Sequence, residues 1–413
     1  MGQSDNWDYL TEFIKKYPDT FADELSKPPY CVKTIRHPER SNLVMFKYSQ
    51  FESDFTNEIV RCCRGPVYLI NDDKTTNSAS ASPAALTARP YLMPFFKFMN
   101  YGENGADKIN WNRTLYVRDK LDGSLIKLLK EDDSRDLWTT NGSFDINAEV
   151  PEIIPAQNDE NLLRPYTFVK LRDYALGGRE EEIKNLPSGW TFMFELVSPY
   201  NRIIVPYRET KLYLLGCRDP QGNERTPEWA VKNFNLTFDT PKIFIFKNID
   251  EIIEYCKNYN SIDQEGFVVQ DENFNRIKLK TDHYRSLFYL KGEDHFSDSR
   301  IFDSIRQGTI DDAAAAWPEI IKRTEEIKNE WISFINAVKK LCETGTSYFQ
   351  ECNTKYDNPR EAKKRYAMFV MENHKPFSSF MFETVKENPE LESIFNKITY
   401  KELINSWIPA LET

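Results

Sequence analysis

Histidine is nearly missing from this chain. Four occur in 413 residues, at positions 37, 283, 295 and 374, and they form neither an HExxH pair nor any tight cluster. That argues against a zinc hydrolase or a Ser-His-Asp enzyme. Glycine is sparse too, at 15. Neither GxxxxGK[ST] nor a GxGxxG after a strand occurs, so both common phosphate cradles are lacking. The seven cysteines (Cys31, Cys62, Cys63, Cys217, Cys256, Cys342 and Cys352) are odd in number and contain no CxxC. With no leader-like segment at the start, they lead to the expectation of a reducing, intracellular setting, the cytoplasm of a host cell or bacterium. No run of about 18 apolar residues exists, so no membrane span is expected. Basic residues are outnumbered, 54 against 64 acidic, for a net charge of −10. A generic nucleic-acid binder is excluded on that ground, although a local basic groove is not.

What is present is a large apolar and aromatic content, 40% and 14%, with 29% charged residues, in a chain long enough for two or three domains. Residues 7–24 begin with helical spacing and break at Pro18. From Leu43 the pattern changes to short β-like runs: LVMFKY, GPVYLI, LYVRDK, SLIKLL, LWTT, WTFMFELV, RIIVPY, KLYLLGC, KIFIFK, EGFVVQ and RIKLK. Turn-forming residues bound them, as in an antiparallel or mixed sheet. Asp72 to Arg89 is polar and rich in small residues, which predicts a surface loop, and 145–186 reads as a charged region, helical in part. After about Tyr289 the spacing becomes helical: Ile320, Ile327, Trp331, Phe334, Val338 and Leu341 share one face. EAKKRYAMFVMENH and PELESIFNKIT read the same way. The expectation is an α+β chain, with residues 1–290 a sheet domain flanked by helices and 291–413 an all-helical domain. The latter carries 17 Lys and Arg against 21 Asp and Glu, so charge alone does not mark it as an RNA-binding module.

One stretch carries chemistry only in company. In VRDKLDGSLIKLL, Lys120 precedes Asp122-Gly123, and alone this reads as a hairpin turn between two strands. Further on, FMFELV places Glu195 inside an apolar strand, where a carboxylate needs a partner. EGFVVQ puts Glu265 at a strand mouth beside Gly266, and RIKLK sets Lys278 and Lys280 on one strand face. A candidate nucleophile, two carboxylates and two cations at strand ends form an inventory for nucleotidyl transfer through a lysine adduct.

KLDGSL, FELVSPYNRII, EGFVV and IKLK stand in the order found in the covalent nucleotidyltransferases, which include RNA and DNA ligases and mRNA capping enzymes. The sequence more closely resembles the phage-type RNA ligases of the T-even bacteriophages. Cys63-Arg64-Gly65, RPYLMPFFKFMNYGE, NRIIVPYRETKLYLLGCRD, KLKTDHYRSL and KKRYAM carry that resemblance across most of the chain. It implies a nucleotidyltransferase (adenylyltransferase) domain followed by the helical one, and ATP-dependent joining of RNA 5′-phosphate and 3′-hydroxyl ends. By the resemblance Lys120 becomes linked to AMP. Arg64 and Lys97 handle the triphosphate, with Tyr48, Gly123 and Tyr284 also in the ATP site. Glu195 holds a ribose hydroxyl, and Lys278 and Lys280 contact the α-phosphate and pyrophosphate. Glu265 and Asp122 act near Mg2+ (or Mn2+) and its waters. The family often has Ser-Lys-Gly after the nucleophile strand, whereas here TTNGSF puts Asn141 in place of the lysine.

The implied partners are RNA ends, nicked tRNA among them. A separate protein is expected to supply any end-healing kinase or phosphatase, and the chain to act as a monomer. Because an attacking amine must be neutral and a free lysine has a pKa of about 10.4, Lys278, Lys280 and partial burial are expected to lower that of Lys120. A DNA ligase or capping guanylyltransferase shares the same core, although the residues after 290, which read as helices with few strand runs, speak against the β-barrel those enzymes usually carry. A non-catalytic nucleotide-binding relative is the other alternative.

Overall fold

The computed structural model describes residues 6–49, 52–71, 87–113, 115–132, 136–149, 166–292, 296–307, 310, 317, 320–386 and 389–412. Two compact units divide the chain, Met1–Tyr284 and Arg285–Thr413.

Among its described residues the first unit contains three sheets whose named strands all pair antiparallel. One runs in the order β1 (Val32–Arg36), β2 (Leu43–Tyr48), β3 (Arg64–Asn71), β4 (Thr87–Leu92). The sheet that carries Lys120 on its rim contains β5 (Leu115–Asp119), β11 (Ile243–Phe244), β12 (Gly266–Asp271) and β13 (Arg276–Lys280), in the order β11-β5-β12-β13. The remaining strands form the third, in the order β10-β9-β8-β6-β7. These are β6 (Ser124–Leu129), β7 (Leu137–Thr140), β8 (Thr191–Val197), β9 (Lys211–Arg218) and β10 (Glu224–Arg225).

Apart from Ser124 and Lys127, SLIKLL is apolar on both sides rather than alternating, because both faces of β6 are covered. Ile126 and Leu128 join the core formed with Phe192, Phe194 and Leu214. Leu129 packs on the other side with Leu43, Met45, Val67 and Leu92.

Three sequence expectations change here. First, VRDKLDGSLIKLL is not a hairpin. β5 pairs with β11 and β12, β6 pairs with β7 and β8, and the two strands lie in different sheets. Lys120 N donates to Gly266 O at 2.8 Å and Asp122 N to Tyr207 Oη at 2.9 Å, so neither amide serves a β5–β6 ladder. Residues 120–123 carry the chain from one sheet to the next, and Gly123 is needed for close approach: a Cβ there would strike the Leu196 carbonyl. Second, RIIVPY forms no strand, because the Ile204 and Val205 amides donate to the Asp122 carboxylate instead of to a ladder. Third, KIFIFK shrinks to the two residues of β11. Of the loop expected over Asp72 to Arg89, residues 72–86 lie outside the described residues, and Thr87 to Arg89 open β4. Of 145–186, residues 150–165 lie outside, while Phe168–Leu176 and Glu180–Lys184 are helices.

The second unit is helical among its described residues. Its longest element, Ile321–Lys355, buries Ile327, Trp331, Phe334 and Val338 on one face. Phe334 lies within ring contact of Phe380, Phe395 and Trp407. Toward the C-terminal half Cys342 takes the buried place and Leu341 is half-buried, as the 3.6-residue turn drifts past the expected spacing. The next helix, Pro359–Asn373, starts where the Asn358 side chain accepts from the Arg360 amide. No helix among the described residues is long and apolar enough to cross a membrane.

Candidate active site

Lys120 leaves the end of β5 and Lys278 and Lys280 come from β13, while Glu265 immediately precedes β12. Because β5, β12 and β13 are neighbours, the Lys120 segment meets the consecutive β12–β13 pair, 145 positions further on at Glu265, at one sheet end. Gly266 there has φ +145 and a Cβ on it would collide with the Leu279 carbonyl, so only glycine lets β12 and β13 run this close beside Glu265. The Glu265 carboxylate is 2% exposed and bridges two ammonium groups, Lys120 Nζ at 2.6 Å and Lys280 Nζ at 2.9 Å.

Above this pair lies a cavity of about 280 Å³. Lys120, Gly123, Glu195, Lys278, Lys280 and Arg64 all line it, together with Asn141. Glu195, on β8, accepts from the Gly123 amide at 3.1 Å. Asp122 and Tyr284 stand behind the wall rather than on it. Asp122 is 3% exposed; its Oδ2 accepts from the Ile204 and Val205 amides at 2.7 and 2.9 Å, and its Oδ1 from Tyr284 Oη at 2.7 Å. Lys97 lies in an adjoining cavity, its ammonium 4.5 Å from the Phe55 ring centroid and 5.0 Å from that of Tyr48. Tyr48 itself lines a larger cavity of about 690 Å³ that shares Arg64 and Asn141 with the first.

The electrostatics differ from expectation at the nucleophile. Burial pulls the Lys120 ammonium down, but Glu265, Glu195 and then Asp122 outweigh it and hold the amine above the ordinary lysine range. The expected lowering by Lys278 and Lys280 falls instead on Lys278. Burial and then the charges of Lys97, Lys120, Arg64 and Lys280 push Lys278 down to about 7. Lys97 is lowered to about 8, by burial and then by Arg64. Burial raises Glu195 to about 7 against the pull of Lys120. The reason is geometric: Lys120 has a carboxylate at contact distance, whereas the cations dominate around Lys278.

Sequence reading missed part of the wall. Arg118 and Arg276 line the cavity and share Gln270 Oε1, at 3.3 and 2.8 Å. Arg276 is also tied to Glu224, which Arg218 meets at 2.6 Å. Lys127, inside SLIKLL, is fully buried and donates to the Gly65 carbonyl at 2.5 Å, next to Arg64. The available signal was a charged residue inside an otherwise apolar strand, which demands a buried partner.

Among the described residues no three His, Cys, Asp or Glu side chains converge as a cation cage. A hard divalent ion held by one carboxylate, waters and substrate phosphates needs none. A sheet-floored cavity with a carboxylate-paired lysine and a rim of cations is the architecture of an enzyme that handles phosphoanhydrides. A family model described as RNA ligase matches residues 63–289, more than half of the chain, and the chain belongs to that family, the phage-type RNA ligases. An RNA ligase of Rhodothermus phage RM378 is 23% identical over 89% of this chain and 90% of its own length. A protein of Autographa californica nuclear polyhedrosis virus, named for joint polynucleotide kinase and RNA ligase functions, is 26% identical over 69% of this chain. The match spans only 39% of the viral protein. Among solved structures, an archaeal ATP-dependent RNA ligase overlaps 79% of this chain and 82% of its own at 11% identity, with a TM-score of 0.42.

Proposed function

We propose that this RNA ligase uses ATP and that Lys120 is its nucleophile. The observation that supports the reading is the Lys120–Glu265–Lys280 bridge at the floor of a cavity rimmed by Lys278 and Arg64. Lys120 Nζ gives its proton toward Glu265 Oε2, 2.6 Å away, and attacks the α-phosphorus. The Nζ–P bond forms, the α–β anhydride bond breaks, and pyrophosphate leaves against Lys278, Lys280 and Arg64. Glu195 holds a ribose hydroxyl, and Lys97 and Tyr48 flank the triphosphate. Asp122, tied by three donors, positions the turn that presents Lys120.

The AMP then moves from Lys120 to an RNA 5′-phosphate oxygen, making a new anhydride. Attack by a 3′-hydroxyl on that 5′-phosphate expels AMP and seals the strand. Mg2+ or Mn2+ beside Glu265 would supply charge neutralisation on the phosphates. The test is labelling with α-phosphate-labelled ATP, comparing the parent with Lys120→Ala. Label on the parent alone supports the reading. Label retained on the variant, or a preference for GTP, overturns it.

The helical unit, residues 285–413, is proposed to confer a preference for nicked tRNA, the class of end that the family resemblance implies. Sealing rates on a cleaved tRNA and on an unstructured RNA of equal length test this. Equal rates remove the tRNA reading and leave the adenylyl transfer untouched.

A further inference from the structure

The larger cavity sets Lys33 and Lys47, which adenylyl transfer as proposed does not use, in line with Arg64, which it does. In the β1–β2 register Lys33 stands directly opposite Lys47, and in the β2–β3 register Lys47 stands opposite Arg64. Neighbouring strands lie about 4.8 Å apart. Three cations therefore form one row across three adjacent strands, and all three line the 690 Å³ cavity. Like charges directly opposite on a sheet are destabilising, yet among the described residues none of the three makes an ion pair with a carboxylate. Glu52 is the one carboxylate on the cavity wall among the described residues.

Two buried atoms lack protein partners here as well. Arg64 Nη1 and Asn141 Oδ1 make no hydrogen bond, and both residues face this cavity and the nucleotide cavity. A row of cations without carboxylate partners, ending at an unpaired donor that suits a phosphate oxygen (Arg64 Nη1) and an unpaired acceptor that suits a ribose hydroxyl (Asn141 Oδ1), describes a track for RNA leading into the active site.

We infer that the Lys33–Lys47–Arg64 row binds phosphodiesters of the RNA strand whose end is being joined, delivering that end to Lys120. The inference rests on the proposed adenylyl transfer for its direction only, since binding is read without nucleotide.

The experiment measures fluorescence anisotropy of a short 5′-phosphorylated single-stranded RNA on the full chain, without ATP or metal, across a salt series. Lys33→Ala/Lys47→Ala is expected to weaken binding at least about 10-fold. The slope of log affinity against log salt should fall by about 1.4, two contacts at about 0.7 each for single strands. Lys33→Arg/Lys47→Arg should restore both, and Lys184→Ala/Lys247→Ala, removing two exposed lysines elsewhere, should change neither. Melting temperatures report folding, and relief of the like-charge pair should leave the alanine variant at least as stable as the parent. Unchanged affinity and slope in the alanine variant overturn the inference. So does a raised KM for ATP with RNA affinity intact, which would assign the row to the triphosphate. Failure of the parent to form a lysine adduct, with RNA binding as described, would sink the adenylyl-transfer reading instead.

Discussion

The Lys120 ammonium and the Glu265 carboxylate, 145 positions apart in sequence, lie 2.6 Å from one another at the edge of a single sheet. Their pairing keeps the amine protonated, so an attack by Lys120 must begin with loss of that proton. Glu265 is thus both the group that raises the amine and the nearest base to receive its proton.

Replacing that carboxylate should separate the two effects. In Glu265→Gln the leading attraction that raises Lys120 is gone, so the acidic limb of the pH–rate profile for self-adenylylation moves to lower pH. The maximal rate falls by about 10²-fold or more with the loss of the carboxylate. Single-turnover rates across pH measure both, and an unmoved limb would show that Lys120 deprotonation does not set the profile.

Proton uptake should accompany nucleotide binding. Lys278 at about 7 and Lys97 at about 8 are largely or partly neutral at pH 8. A bound triphosphate favours their charged forms. Calorimetry with a non-hydrolysable ATP analogue in buffers of different ionisation enthalpy should show uptake of about one proton at pH 8 and little at pH 6. No buffer dependence at pH 8 would place both lysines away from the phosphates.

Glu195 trades stability for its site. A carboxyl raised to about 7 in the fold stays protonated there when the unfolded chain has already ionised. Stability is therefore lost as pH rises from the unfolded value of about 4.3 through 7. Glu195→Gln removes that loss. Its melting temperature should exceed the parent's by about 2–4 °C at pH 8, the gain should vanish toward pH 4, and affinity for ATP should drop.

Glu224 neutralises two buried arginines at once, Arg218 and Arg276. Glu224→Ala leaves both without their carboxylate in an interior that cannot solvate them, at a cost of about 3–5 kcal/mol. Urea titration of the full chain measures it. A change below about 1 kcal/mol would mean that Gln270 and backbone carbonyls already suffice for Arg276 and Arg218.

Most strands could be read from local pattern: LVMFKY, SLIKLL, LWTT and RIKLK coincide with β2, β6, β7 and β13. The helical character of the last third was equally legible from the spacing of Ile327, Trp331, Phe334 and Val338. RIIVPY misled because the same apolar residues serve a loop whose amides are consumed by Asp122, a partner 82 positions away.

The sequence by itself determined the chemical inventory and the face on which each charge falls, since strand alternation sets Lys278 and Lys280 on one side whatever surrounds them. Only the tertiary structure decided which charges meet. It split VRDKLDGSLIKLL between two sheets, gave Glu265 to Lys120 as well as Lys280, and moved the lowered amine from Lys120 to Lys278. It also set Lys33, Lys47 and Arg64 in one row. Spacing along a chain fixes direction, whereas ionisation depends on the distance and burial of groups contributed by other strands.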